Sequence, residues 1–242
     1  MHMLASPSTH PVFIRPFSSQ QISRQELPPL PANGDFVIRT IDTPDCRARA
    51  SHLLERRYRW RGYGNVGLQK ENQLHRCTLG AFGPQQVLGT ITVNLDGPEG
   101  LNCEALFSAE VSELRAAGAR VCEFTRLAVE VQGRSSNMVL TALFHAAYTL
   151  AHQVRGCDTL LVEVNPRHVR YYEKSFGAET LASERMHSGV NAPAVLLTLC
   201  LASVARLAER AGAAVAGTWR EPDMLPRSSW VPTAQGAAVA CA

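Results

Sequence analysis

The sequence predicts an α/β (α+β) protein with one mixed central β-sheet flanked by helices. Three observations predict it. Segments of two-residue alternation interleave with segments whose apolar residues recur three and four positions apart. One run, Asp158 to Val164, is rich in Leu and Val, with no polar alternation until Glu163, as expected of a central buried strand. No internal repeat divides the chain, and the strands and helices follow one another as layers around one core.

The elements follow in order. Residues 1–33, rich in Pro, Ser and Gln and including Pro28-Pro29-Leu30-Pro31, form a flexible arm that ends at Asn33-Gly34. Asp35 to Ile41 alternates as a first strand. Thr43-Pro44-Asp45 starts a helix that runs to about Arg61 and stops at Gly62. His75 to Gly83 and Val87 to Asp96 are strands joined by a turn at Gly83-Pro84-Gln85-Gln86. Leu106, Phe107, Val111 and Leu114 share one side of a short helix ending at Gly118. Val121 to Val131 is strand-like. Plain alternation points Val121, Glu123, Thr125, Leu127 and Val129 one way, and Cys122, Phe124, Arg126 and Ala128 the other.

A helix follows, capped by Ser135 or Ser136, with Val139, Leu143, Leu150 and Val154 at helical spacing and a stop at Gly156. After the buried strand, Asn165 caps a helix with Pro166 at its first position, which reaches Phe176 and ends at Gly177. Strands near Glu179–His187 and Ala194–Cys200 precede a helix from Ala202 to Ala211. The folded domain therefore spans 34–212, and 213–242, rich in Ala, Gly and Pro, form a tail of low order.

Composition narrows the class of function. Of 242 residues, 45% are apolar, enough for a core, and 19% are charged, too few for a disordered chain. A net charge of +3 is too weak to argue for a nucleic-acid partner. The seven cysteines make no C-x-x-C pair and are odd in number. That argues against a disulfide scaffold or a zinc site, so no metal is expected. They read as buried free thiols in a reducing cytoplasm. The most apolar run, Ala192 to Ala205, is shorter than the ~20 residues a membrane span needs, and the first residues lack the apolar stretch of a secretory signal.

Three stretches could carry chemistry. In Cys122-Glu123-Phe124-Thr125-Arg126-Leu127-Ala128-Val129, a Glu and an Arg three apart on a strand face opposite ways unless a bulge intervenes. A bulge would expose strand amides and turn both side chains toward a cleft; without one, the two are a surface ion pair, the reading that spacing alone favours. The second stretch, Gln132-Gly133-Arg134-Ser135-Ser136-Asn137, lies between a strand and a helix start. Free amides there attract phosphate, and Arg134 adds charge-assisted contacts; the plain alternative is an ordinary loop with a serine cap. The third runs from Glu163-Val164-Asn165-Pro166-Arg167-His168 to Tyr172-Glu173-Lys174-Ser175-Phe176-Gly177. Tyr172 shares a helix face with Val169 and Phe176, so it is either core or a proton donor aimed into a cleft. His168 is a base, a cap, or merely exposed.

This order of strand, phosphate-ready helix start, second strand and Y-E-K-x-x-G segment resembles the GNAT acyltransferases. The resemblance implies that the helix start at Arg134, Ser135, Ser136 and Asn137 holds the carrier's pyrophosphate or phosphopantetheine, and that Tyr172 protonates the leaving thiolate. Ser135-Ser136-Asn137 stand where that family usually ends its loop in Gly-x-Gly or Gly-x-Ala. Within the fold, the run Gly89 to Leu101 (G-T-I-T-V-N-L-D-G-P-E-G-L), the strand C-E-F-T-R-L-A-V and V-N-P-R-H are similar to the long-chain N-acyl amino acid synthases, relatives of the acyl-homoserine lactone synthases. The resemblance covers about residues 36–200.

It implies Glu123 as base and Arg126 as the residue that shapes the site or pairs the amino acid's carboxylate. Backbone amides at Leu127, Ala128 and Val129 would polarise the thioester carbonyl. Asn165 joins the expected donor-binding residues, and His168 the catalytic ones. The implied co-substrate is an acyl thioester on acyl carrier protein or CoA, with no permanent cofactor. The basic turn Arg56–Arg61 would meet an acidic acyl carrier protein or is simply a solvated helix face, and the helix at 102–117 would help wall an acyl tunnel. Two rival readings are an acyl-homoserine lactone synthase and a non-catalytic acyl-binding or sensor protein.

Overall fold

Residues 36–59, 68, 75–130, 134–187 and 191–204 are described by the structure, a computed structural model. The elements are β1 (Val37–Thr40), α1 (Pro44–Arg59), β2 (Arg76–Phe82), β3 (Val87–Leu95), α2 (Glu104–Ala116), β4 (Val121–Val129), α3 (Arg134–Tyr148), β5 (Thr159–Val164), α4 (Pro166–Phe176), β6 (Glu179–His187) and β7 (Ala192–Cys200). The expected arm and tail, the last turn of the first helix and most of the helix expected at Ala202–Ala211 lie outside the described residues; 201–204 are helical.

Local chemistry explains most boundaries. Asn165 accepts the Arg167 amide at 3.3 Å and Pro166 fills the first helical position, so α4 begins there; Gly177, at φ 66°, ends it in a left-handed turn. The Gly83 amide bonds Gln86 O at 2.9 Å and closes the β2–β3 hairpin. α3 begins at Arg134, two or three residues earlier than expected, so Ser135 and Ser136 lie inside its first turn rather than at its cap. It continues through a π-helical turn, Thr149–Val154, before Gly156 turns the chain at φ 69°.

Seven strands make one sheet in the order β1-β2-β3-β4-β5-β7-β6. Every neighbouring pair is antiparallel except β4 and β5. That parallel pair holds register only from Val121↔Thr159 to Glu123↔Leu161, after which the two strands part. One face of the sheet packs on α3 and α4 through Phe124, Leu127, Leu143, Val162, Val164 and Tyr172. The other carries two apolar clusters. α1 packs Leu53, Leu54 and Tyr58 on Phe82, Val87 and Ala128, while α2 packs Phe107 and Val111 on Val121, Leu161 and Leu196.

The expected alternation along β4 breaks at its middle. Thr90 pairs with Ala128 and Thr92 with Thr125, so β4 spends one residue more than β3 over the same length. The bulge lies at Arg126, at φ 49°, and the Thr90 hydroxyl donates to Arg126 O at 2.9 Å. Parity flips there. Leu127 and Val129 join Cys122 and Phe124 in the α3 core instead of sharing a face with Glu123, and Ala128 joins the α1 face.

The reading as buried thiols holds for Cys46, Cys77, Cys103, Cys122 and Cys157, none of which is in a disulfide. Cys200 departs from it: it ends β7 and is exposed. Cys241 lies outside the described residues.

Candidate active site

On the α1/α2 face, between the two apolar clusters, runs a band of buried polar side chains: Thr78, Thr90, Thr92, Asn94, Glu123 and Thr125. Cross-strand register makes it a band, since Thr78 pairs with Thr92, Thr92 with Thr125, and Asn94 with Glu123. The hydroxyls of Thr78 and Thr92 lie 3.0 Å apart. Burying such a row is costly unless it is hydrogen-bonded, so its members find partners in one another.

Glu123 is the centre of the band and is 0% exposed. Its carboxylate accepts the Asn94 side-chain amide at 3.0 Å, the Asn102 backbone amide at 2.9 Å and the Cys103 backbone amide at 3.0 Å. The last two open α2, so Glu123 caps a helix that is remote in sequence and sits at the positive end of its dipole. Asn94 also donates to the Thr125 hydroxyl at 3.2 Å and accepts from Arg76 Nε at 2.8 Å. Burial raises the Glu123 carboxyl above its ordinary range, while the donors from Asn102, Asn94 and Cys103 and the nearby Arg126 charge pull it back.

The bulge resolves the spacing of Glu123 and Arg126. Arg126 feels the charges of Arg76 and Glu123 and the Tyr58 side chain of α1, which places it on the Glu123 face. Burial lowers its guanidinium below the usual value, with Arg76 the next cause. The end of β4 is held from α1. Arg57 donates to Val129 O at 2.9 and 2.7 Å from Nε and Nη2, and Arg56 pairs with Glu130 at 2.8 Å. Past Glu123, strand β4 has no ladder to β5, so Leu127, Ala128 and Val129 line the edge where the strands part.

Glu163 is a residue whose part sequence reasoning missed. It too is 0% exposed, on β5, on the face that carries Leu161. Neither carboxyl oxygen has a hydrogen-bond partner among the described residues. Burial, then the Glu123 charge, pushes its carboxyl up to about 8. The signal in the sequence was a single acid in an otherwise apolar central strand.

Tyr172 is 1% exposed and lies on the opposite face of the sheet from Glu123. Its ring packs edge-on against Tyr171 at 5.6 Å and beside Phe176 at 5.7 Å. Between β4 and β5 the ladder stops at Glu123↔Leu161. Asn165 caps α4, and its amide donates to Pro193 O at 3.4 Å. His168, on the first turn of α4, lies 3.2 Å from Arg167 Nε. Arg134, Ser135, Ser136 and Asn137 form the first turn of α3, and Ser136 is buried. Residues 131–133 of the expected donor loop lie outside the described residues.

Cys103 stands beside Glu123, but burial and the Glu123, Glu163 and Glu104 charges raise its thiol far above the ordinary range. Among the described residues no group of three or more His, Cys, Asp or Glu side chains is placed to hold a metal ion. No described helix is long and apolar enough to cross a membrane.

The chain has counterparts among solved structures. FeeM, an N-acyl amino acid synthase from uncultured soil microbes, superimposes with a TM-score of 0.61 at 22% identity, over 69% of this chain and 92% of that one. The acyl-homoserine lactone synthase LasI matches with a TM-score of 0.47 at 14% identity, over 69% and 90%. An acyl-CoA N-acyltransferase from Pseudomonas aeruginosa matches with 0.47 at 12%, over 69% and 99%. Comparison with curated proteins gives no match. The fold is that of the GNAT acyltransferases, and the chain is an acyltransferase. Residues 49–200 match the family model of the N-acyl amino acid synthase FeeM, and the chain belongs to that family.

Proposed function

We propose that this acyltransferase moves a long-chain acyl group from the thioester of an acyl carrier protein, or of CoA, to the α-amino group of an amino acid. The observation that carries the reading is the buried polar band centred on Glu123, with a second buried carboxyl, Glu163, on the same face beside the gap between β4 and β5. A thioester lying in that gap has the free edge of β4 on one side. Amides at Leu127, Ala128 and Val129 then polarise its carbonyl. An ammonium group entering on the α1/α2 face meets negative charge, and Arg126 on the same face pairs the acceptor's carboxylate.

The carrier's phosphate arm lies at the start of α3, where Arg134, Ser135, Ser136 and Asn137 follow β4, with Asn165 and His168 at the neighbouring start of α4. Tyr172, on the donor face, gives its proton to the departing thiolate. The acyl chain runs along the apolar underside of α2, past Phe107 and Leu161. Arg56 and Arg59, exposed in the last turn of α1, suit the acidic surface of an acyl carrier protein. The cytoplasm supplies both the thioester pool and the reducing conditions that keep the free thiols reduced.

Mass spectrometry of lipid extracts from bacteria expressing the chain, against an empty vector, tests the reading. New N-acyl amino acids name the acceptor and the chain length together. Acyl-homoserine lactones in their place would move the acceptor to S-adenosylmethionine. No new lipid, with folded protein present, would leave an acyl-binding role and sink the proposal.

A further inference from the structure

Two buried carboxylates stand on one face of the sheet, and they differ in what holds them. Glu123 is committed to three donors: Asn94 and the two amides that open α2. It is fixed as an acceptor and as a helix cap, and protonating it would break that arrangement. Glu163 has no such commitment, since both of its oxygens lack a hydrogen-bond partner among the described residues although the side chain is 0% exposed. An unanchored buried carboxyl costs several times what a paired one does, so its retention calls for a partner that arrives with the substrate.

Its place in the strand says which partner. The β4–β5 ladder ends at Glu123↔Leu161, and Glu163 lies two residues further along β5 on the same face as Leu161. Continuing that register would set Glu163 opposite Thr125, one residue before the bulge at Arg126. Glu163 therefore borders the gap where a thioester carbonyl would meet the amides of β4. It does so from the side of the polar band, where the acceptor enters.

We propose that Glu163 is a catalytic residue of the transfer, the carboxylate that takes the proton from the acceptor's ammonium group. The assignment rests on the amide-forming reading above. An N–H bond of the ammonium breaks and an O–H bond forms on Glu163. The freed lone pair attacks the thioester carbonyl, the C–N bond forms and the C–S bond breaks. The nitrogen's second excess proton leaves as the thiolate collects one, and Glu163 returns its proton to water.

The groups facing Glu163 are Glu123 from β4 and Cys103 at the start of α2; β7 opposes it with Leu196, which does not titrate. A carboxyl raised to about 8 by burial and by Glu123 is a base matched to an amine, because proton transfer is most efficient between groups of similar affinity.

The test uses the purified full chain with palmitoyl-CoA and palmitoyl-acyl carrier protein as donors and the twenty amino acids as acceptors. Wild type should show kcat/KM for the acceptor rising with pH to a plateau, with a midpoint near 8. Glu163→Gln should lose about 100-fold or more at pH 8 and should lose that midpoint, its residual rate following the amine's own ionisation. Its donor KM should stay near that of wild type and its melting temperature should be no lower, because Gln resembles the protonated acid in shape. Glu163→Asp should keep a displaced limb at reduced rate.

A Glu163→Gln enzyme with wild-type kcat/KM, or one slowed but with the limb at its wild-type midpoint, overturns the assignment and leaves the amide-forming reading intact. If Glu163→Gln does not fold, an unmoved limb in Glu163→Asp overturns it equally. A wild type that acylates no amino acid from either donor overturns the reading, and the assignment with it.

Discussion

Asn94 of β3 and Glu123 of β4 face each other across the sheet, and the Asn94 amide donates to the Glu123 carboxylate at 3.0 Å. Through that pair the middle of the sheet is tied to the first residues of α2, whose amides end on the same carboxylate. Replacing Asn94 by Ala removes one of the three donors to Glu123 and the hydrogen bond from Arg76 Nε. We expect a loss of about 1–3 kcal/mol in urea unfolding. Glu123→Gln should cost at least as much, because its amide nitrogen would face backbone N–H donors. Unfolding midpoints equal to wild type for both variants would show that the α2 cap contributes nothing to stability.

Arg126 occupies a left-handed backbone conformation at φ 49°, which a residue with a Cβ adopts only at a cost. Both Arg126→Gly and Arg126→Ala remove the guanidinium, but only glycine relieves the backbone. The glycine variant should be more stable than the alanine variant by about 1 kcal/mol, and both should be inactive. Equal stabilities would mean that the bulge holds no strain. Activity in either variant would mean that the guanidinium is dispensable.

Glu163 makes stability depend on pH with a definite sign. Its carboxyl is raised from 4.5 to about 8 in the folded chain, so between those values the folded state holds a proton that the unfolded state releases. Stability from this group is therefore fully present below about 4.5 and is lost as pH rises to about 8. Glu163→Gln lacks this dependence. Thermal melts from pH 5 to 9 should show the variant gaining on wild type up to about pH 8, by a few kcal/mol at full extent, and no further above it. A constant difference across that range would contradict a raised carboxyl.

Cys103 lies against Glu123, yet its thiol is held protonated by burial and by the surrounding carboxylates. It should not act as a nucleophile. In the folded chain at pH 8, iodoacetamide should label Cys200 well before Cys103, as read by peptide mass spectrometry. Stoichiometric acyl-Cys103 after incubation with the thioester donor would show a covalent route instead.

The order of strands and helices was legible in the sequence because it is written in local terms. Asn165-Pro166 and Gly177 bound α4 by capping chemistry that needs no partner, and β6 spans the residues where a strand was expected, Glu179–His187. The apolar run of β5 announced a strand covered on both faces. The motif around Glu123 and Arg126 was visible too, but its geometry was not. Alternation sets the two apart, and only the cross-strand register with Thr90 and Thr92 decides where the extra residue of β4 falls.

What the sequence by itself determined is the order of the elements from β1 to β7, the cap of α4 and the charged strand on which the site is built, because helix and strand periods are properties of neighbouring residues. Tertiary structure alone decided that β7 enters between β5 and β6, that Glu123 caps a helix beginning at Cys103, and that Glu163 is enclosed with neither oxygen bonded. Each of these depends on which distant segment removes water from a side chain. A buried charge is defined by its surroundings, and those are assembled only when the sheet closes under α1 and α2.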